Sequence, residues 1–192
     1  MYSSSSNTVA VGVGNTILSD DGVGVHALHL LESDSRIPPG VVFLDGGTLG
    51  LSLLPCLSDV ARVLFLDAVD TGQPPGTLTR LTGDGLLGGT AKLTVHQIGV
   101  VDLIATLAFV ASVSQEIVVL GVQPASTDWG TTLSTQVEAV LGQLVEMAVE
   151  QLQRWSGLKA TTLAYRSLEA RSTASCEERS FLTCAWRSRE RL

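Results

Sequence analysis

The hydrophobic positions of this chain fall into short blocks of two different periods. VAVGVG (Val9 to Gly14), VVFLD (Val41 to Asp45), VARVLFLDA (Val60 to Ala68), GTLTRL (Gly76 to Leu81) and IVVLGV (Ile117 to Val122) are compact apolar runs of strand length. Between them the spacing changes to three and four. Val23, Ala27, Leu30 and Leu31 predict an amphipathic helix over residues 21–33, and LGLSLLPCL, QIGVVDLIATLAFV and TTLSTQVEAVLGQLVEMAVEQLQRW follow the same rule. Strand and helix in alternation predict an α/β fold: one three-layer domain over 9–157, with a twisted, mostly parallel sheet of about five strands and helices on both faces. No internal repeat is present.

Charge divides the chain more sharply than hydropathy does. Residues 1–157 carry 15 acids against 5 Lys and Arg, net −10, whereas residues 158–192 carry 4 against 7, net +3; together they make the overall −7. An acidic body is a poor partner for nucleic acid. The Arg- and Ser-rich tail, 158–192, is expected to be disordered or loosely docked, and the polar segment MYSSSSNT (1–8) to stand outside the domain. Although 45% of the residues are hydrophobic, no run reaches the roughly 18 apolar residues of a membrane span. The first residues lack a basic stretch followed by an apolar one, so no secretory signal is expected and the cytoplasm is the expected compartment. Cys56, Cys176 and Cys184 form no CxxC pair and leave one over in any disulfide scheme, which fits inert thiols in a reducing compartment.

Candidate chemistry gathers at the ends of the strands. VGVGNTILSDDGVGV (Val11 to Val25) opens like a nucleotide-binding unit, but Ile17 stands where a dinucleotide fingerprint needs its third glycine, and the following helix begins with Asp20 and Asp21. Carboxylates at a helix amino end occupy the place that a phosphate would take. One of them reads as a helix cap, but the second needs another explanation. The second strand ends at Asp45 in DGGT and the third at Asp67 in LFLDAVD, while His96 follows AKLTV at the start of a helical segment. In open α/β sheets ligands bind beyond the carboxyl ends of the strands. Asp21, Asp67 and His96 are thereby expected to converge, and two carboxylates with one imidazole suit a borderline divalent ion such as nickel, zinc or iron. His26 and His29, three apart, imitate a metal pair but fall on the solvated face of their helix. There is no Gly-x-Ser-x-Gly elbow and no cysteine in a site motif, which argues against serine or cysteine nucleophiles.

Taken together, GVGNTILSDDGVGVHALHLLE, VVFLDGGTLGLSLLPCL, LFLDAVD, HQIGVVDLI and LGVQP resemble the nickel-iron hydrogenase maturation proteases, in order from Val9 to Trp155. The resemblance implies an endopeptidase that removes a short carboxy-terminal peptide from the nickel-loaded precursor of a hydrogenase large subunit. It implies that Asp21, Asp67 and His96 are catalytic and bind nickel, which the precursor supplies from its own active site. Asp45, Gly46, Gly47 and Thr48 match the segment that faces the substrate. The implied partner is that precursor, with neither nucleic acid nor membrane, and a monomer is the expected state. The same motifs fit a non-catalytic, nickel-dependent chaperone or docking protein, so activity is what separates the two readings. The tail has no counterpart in the resemblance.

Overall fold

The computed structural model describes residues 8–82, 95–111 and 113–157, with the backbone alone over 95–99. Residues 1–7, the tail and most of the run AKLTV lie outside the described residues, and Thr8, expected to stand outside the domain, is instead buried within the sheet. Five strands, β1 (Thr8–Val13), β2 (Val41–Gly47), β3 (Arg62–Ala68), β4 (Leu78–Thr82) and β5 (Glu116–Val122), form one sheet in the order β2-β1-β3-β5-β4. All neighbours are parallel except β4, which runs antiparallel to β5 along one edge. The helices are α1 (Val23–Glu32), α2 (Leu54–Leu57), α3 (Val95–Val110) and α4 (Thr135–Ser156), with 3-10 turns at Ser19–Gly22 and Gly50–Leu53.

Alternation along the strands separates two cores. Ala10, Leu64, Leu66, Ala68, Val118, Leu120 and Val122 face one side, against Val23, Ala27, Leu28 and Leu31 of α1 and Leu144, Ala148 and Leu152 of α4. Val9, Val11, Val63, Phe65 and Val119 face the other, against Leu53, Leu57 and the α3 residues Leu103, Ile104 and Leu107. Each fully buried Val, Leu, Ile or Phe side chain contributes about 1.5–3 kcal/mol, so both faces of β3 help to hold the layers together. The sequence expectation of an α/β sheet covered on both faces holds.

Local differences have local causes. The helix expected over 21–33 starts later, because Asp21 N bonds the Leu18 carbonyl three residues back and tightens the first turn to 3-10. Leu30, assigned to the apolar stripe, is half exposed, and Leu28 takes the buried position. Helix α4 starts at Thr135 because Ser134 caps it, accepting from Val137 N at 3.4 Å, and Gly157 ends it in the left-handed region at φ +73°. Cys56 is partly buried against the second of the two cores, and Cys176 and Cys184 lie outside the described residues.

Candidate active site

The register decides where the acids sit. Gly12 of β1 pairs with Asp45 of β2 on one side and with Leu66 of β3 on the other, so the three strands end nearly level. From β1 the chain goes out to β2 over one face of the sheet and from β2 back to β3 over the other, which makes β1/β3 the point where the winding reverses. Such a point opens a crevice at the carboxyl edge.

Two glycines allow helix α1 to close on that crevice. Gly14 leaves β1 at φ +117°, and a Cβ there would lie 1.8 Å from the Asp21 carbonyl oxygen. A Cβ on Gly24 would come within 2.1 Å of the Leu66 carbonyl and 2.4 Å of the Val13 carbonyl, so at this point α1 rests directly on the backbones of β1 and β3. The glycines around the two aspartates therefore serve close backbone packing, and no phosphate is needed to explain them.

Asp21 and Asp67 meet in the space so formed. Asp21 is 3% exposed, and its Oδ2 accepts from Asn15 N at 2.8 Å; Asp67 is 6% exposed, and its Oδ1 accepts from Ala68 N at 2.8 Å. Burial, reinforced by the negative charge of Asp21, pushes the Asp67 carboxyl up to about 8 against the pull of the Ala68 amide. Among the described residues neither carboxylate has an ion-pair partner. Two buried acids without a counter-charge are a costly arrangement. A bound proton relieves it, as at Asp67, and so does a divalent cation, which oxygen ligands of this kind suit.

Asp20 does a different job. The structure corrects its reading as a helix cap: neither the 3-10 turn nor α1 has a side-chain cap. The Asp20 carboxylate is fully buried and accepts instead from Ser134 N (2.6 Å), Ser134 Oγ (2.8 Å), Ala125 N (2.8 Å) and Ser126 N (3.1 Å). It braces the amino end of α4 against the β1 exit loop, and with its acceptor sites used in this way it has little left to offer a metal.

The DGGT segment lies beside the same loop. Gly14 N donates to the Gly47 carbonyl at 2.9 Å, and exposed Asp45 accepts from Gly47 N at 3.0 Å; Gly46 is buried and Thr48 exposed. His96 is the second residue of α3, and its side chain lies outside the described residues. Helix α3 packs on the sheet and ends just before β5 begins, so its carboxyl end is at the amino edge of the sheet and its first turn at the carboxyl edge. Among the described residues no three His, Cys, Asp or Glu side chains form a metal group. His26 and His29 line an open groove of about 830 Å³ between α1 and the start of α4, with Leu30, Leu133 and Glu138. That groove is on the helical face, away from Asp67; His29 is solvated as expected, whereas His26, expected on the same solvated face, is half-buried beside the α1 core positions.

Sequence reasoning quoted Gln123 only as part of LGVQP and gave it no role. Buried just past β5, its Oε1 accepts from Thr71 N (2.8 Å), Thr71 Oγ1 (3.3 Å) and Gln73 N (3.2 Å), and its Nε2 donates to Asp70 Oδ1 (2.9 Å). It holds the turn that follows Asp67. The only trace in the sequence is one amide directly after an apolar strand.

A family model described as hydrogenase maturation protease, HycI, matches residues 25–151. The chain belongs to the hydrogenase maturation protease family. The matched span includes Asp67 and His96 and begins just after Asp21. The hydrogenase expression/formation protein HoxM of Cupriavidus necator is 33% identical over 153 residues, covering 78% of this chain and 76% of that protein. The hydrogenase 2 maturation protease of Escherichia coli is 32% identical over 154 residues, covering 79% and 93%. The solved structure of the hydrogenase maturating endopeptidase HybD from Escherichia coli superposes with a TM-score of 0.71 at 30% identity, over 78% of this chain and 93% of that one. This maturation protease is thus a peptide-bond hydrolase, and its crevice between β1 and β3 is the candidate active site. No helix among the described residues is long and apolar enough to cross a membrane.

Proposed function

We propose that this protease removes a short carboxy-terminal peptide from the nickel-loaded precursor of a nickel-iron hydrogenase large subunit, in the cytoplasm. The observation that carries the reading is the pair of buried, uncompensated carboxylates Asp21 and Asp67 at the carboxyl edge of the sheet. In this reading Asp21, Asp67 and His96 take up the nickel that the precursor presents, so the ion belongs to the substrate and leaves with it. Asp67 holds a proton near neutral pH while the crevice is free of metal, and releases it when the cation arrives. The Asn15 amide orients Asp21 for the same encounter. The exposed DGGT segment, Asp45, Gly46, Gly47 and Thr48, lies against the β1 exit loop and receives the peptide. Water adds to the scissile carbonyl, the carbon–nitrogen bond breaks and the leaving amine takes up a proton; no serine or cysteine nucleophile takes part.

The test is an intact-mass assay of the large-subunit precursor, nickel-loaded and nickel-free, with this protein and with its Asp21→Asn and His96→Ala variants. Loss of one carboxy-terminal peptide from the loaded precursor alone, by the unmodified protein alone, is the expected result. Cleavage of the nickel-free precursor at the same rate, or full activity in both variants, overturns the assignment of the three residues. Complex formation without any loss of mass makes the protein a docking factor.

A further inference from the structure

Between β5 and α4 the chain forms a loop, residues 123–134, that is fastened along its length to the loop carrying Asp21. Ser19 N donates to the Gly130 carbonyl (2.8 Å), Gly130 N to the Ile17 carbonyl (3.0 Å) and Asp20 N to the Ser126 carbonyl (3.1 Å). Ser19 Oγ donates to the Asp128 carbonyl (3.0 Å), and the Asp20 carboxylate takes the amides of Ala125, Ser126 and Ser134. Inside the loop Ser126 Oγ donates to Asp128 Oδ2 (3.0 Å) and accepts from Asp128 N (3.1 Å), which closes the turn just before Trp129. Little backbone freedom is left to lose when something binds there.

On this rigid base Trp129 is 82% exposed, and Ile17, joined to it through the Gly130 backbone, is 46% exposed. An indole has a large apolar surface that folding ordinarily covers in good part. Among the described residues the other strongly exposed ring, Phe109 at 90%, stands at the end of α3, at the amino edge of the sheet and remote from the acids. Trp129 is at the carboxyl edge: both polar backbone atoms of the next residue, Gly130, bond to Ile17 and Ser19, two to four residues from Asp21. The indole thus stands on a loop joined directly to the one that carries Asp21.

We propose that Trp129 and Ile17 form the apolar seat on which this protease holds its precursor, receiving an apolar or aromatic side chain of the polypeptide next to the scissile bond. The inference deepens the proposed function and rests on it. Residues that contribute in this way are enriched in tryptophan at the energetic centres of protein interfaces. Because the seat contacts substrate without touching the reacting atoms, it acts on KM and leaves kcat alone.

The experiment uses the full chain and the nickel-loaded precursor, with initial rates of mass loss measured over a range of precursor concentrations. Trp129→Ala is expected to raise KM about thirty-fold, the equivalent of about 2 kcal/mol, with kcat within about twofold of wild type. Trp129→Phe is expected to return KM to within about threefold of wild type, and the melting temperature stays unchanged in both variants because the side chain is exposed. An unchanged KM in Trp129→Ala overturns the proposal. A wild-type dimer that Trp129→Ala dissolves also overturns it, since the indole would then serve self-association. If the wild type does not cleave, the proposed function fails; the seat is then judged on complex formation with the precursor, where Trp129→Ala must weaken binding by the same factor.

Discussion

Replacing Asp67 by Asn should remove a pH dependence that this single carboxyl imposes on folding. In the folded, metal-free protein burial and the charge of Asp21 oppose ionisation and push the Asp67 carboxyl from the ordinary 3.8 up to about 8. Below the unfolded value both states hold the proton, and the group contributes no difference. Between that value and about 8 the unfolded chain has lost a proton that the folded chain keeps, so stability falls as pH rises through the window. The slope is about 1.4 kcal/mol per pH unit for one proton. From about pH 5 to about pH 7.5 the wild type should therefore lose about 3 kcal/mol relative to Asp67→Asn. The amide is a close stand-in for the neutral acid, since its oxygen can still accept from Ala68 N. Urea denaturation of both proteins in chelator, at half-unit pH steps, isolates this carboxyl because every other group is common to the pair. A difference in unfolding free energy that stays flat across the window would mean instead that Asp67 is ionised in the folded crevice. Asp21→Asn provides a control: with the neighbouring charge gone, the upper limit of the sloping region should move to lower pH, while the part due to burial remains.

Two further outcomes follow from the packing. Asp20→Ala should cost about 2–4 kcal/mol in urea denaturation, because it leaves the amides of Ala125, Ser126 and Ser134 without their acceptor; a loss under about 0.5 kcal/mol would mean that the brace is not a structural one. Gly24→Ala should destabilise by about 3 kcal/mol or more, with the melting temperature falling accordingly, because its Cβ meets the Leu66 and Val13 carbonyls, and neither strand can yield without disturbing the sheet.

Much of the scaffold was legible along the chain. The strands β1, β3 and β5 are continuous apolar runs because both their faces are covered, and the three- and four-residue spacing of α4 survives intact as Val137, Leu144, Val145, Ala148, Val149 and Leu152 on its buried side. The strand-end rule selected Asp67 with no knowledge of its surroundings. The two neighbouring acids were harder. Asp20 and Asp21 have the same chemistry and the same local context, yet one bonds residues 105 to 114 positions away and the other faces the crevice. Gln123, quoted only within LGVQP, was given no role and Trp129 was passed over for the same reason, since an amide and an indole in a loop carry no period.

By itself, then, the sequence determined the elements and their order, and the acids that end the strands, because these depend on side-chain spacing and turn chemistry within a few residues. The tertiary structure alone decided which aspartate is a brace and which stands in the crevice, that Asp67 keeps its proton near neutral pH, and that Trp129 is held rigidly on the Asp21 loop. Each of these is a property of burial and of partners far away in the chain, and neither exists until β1, β3 and β5 lie side by side.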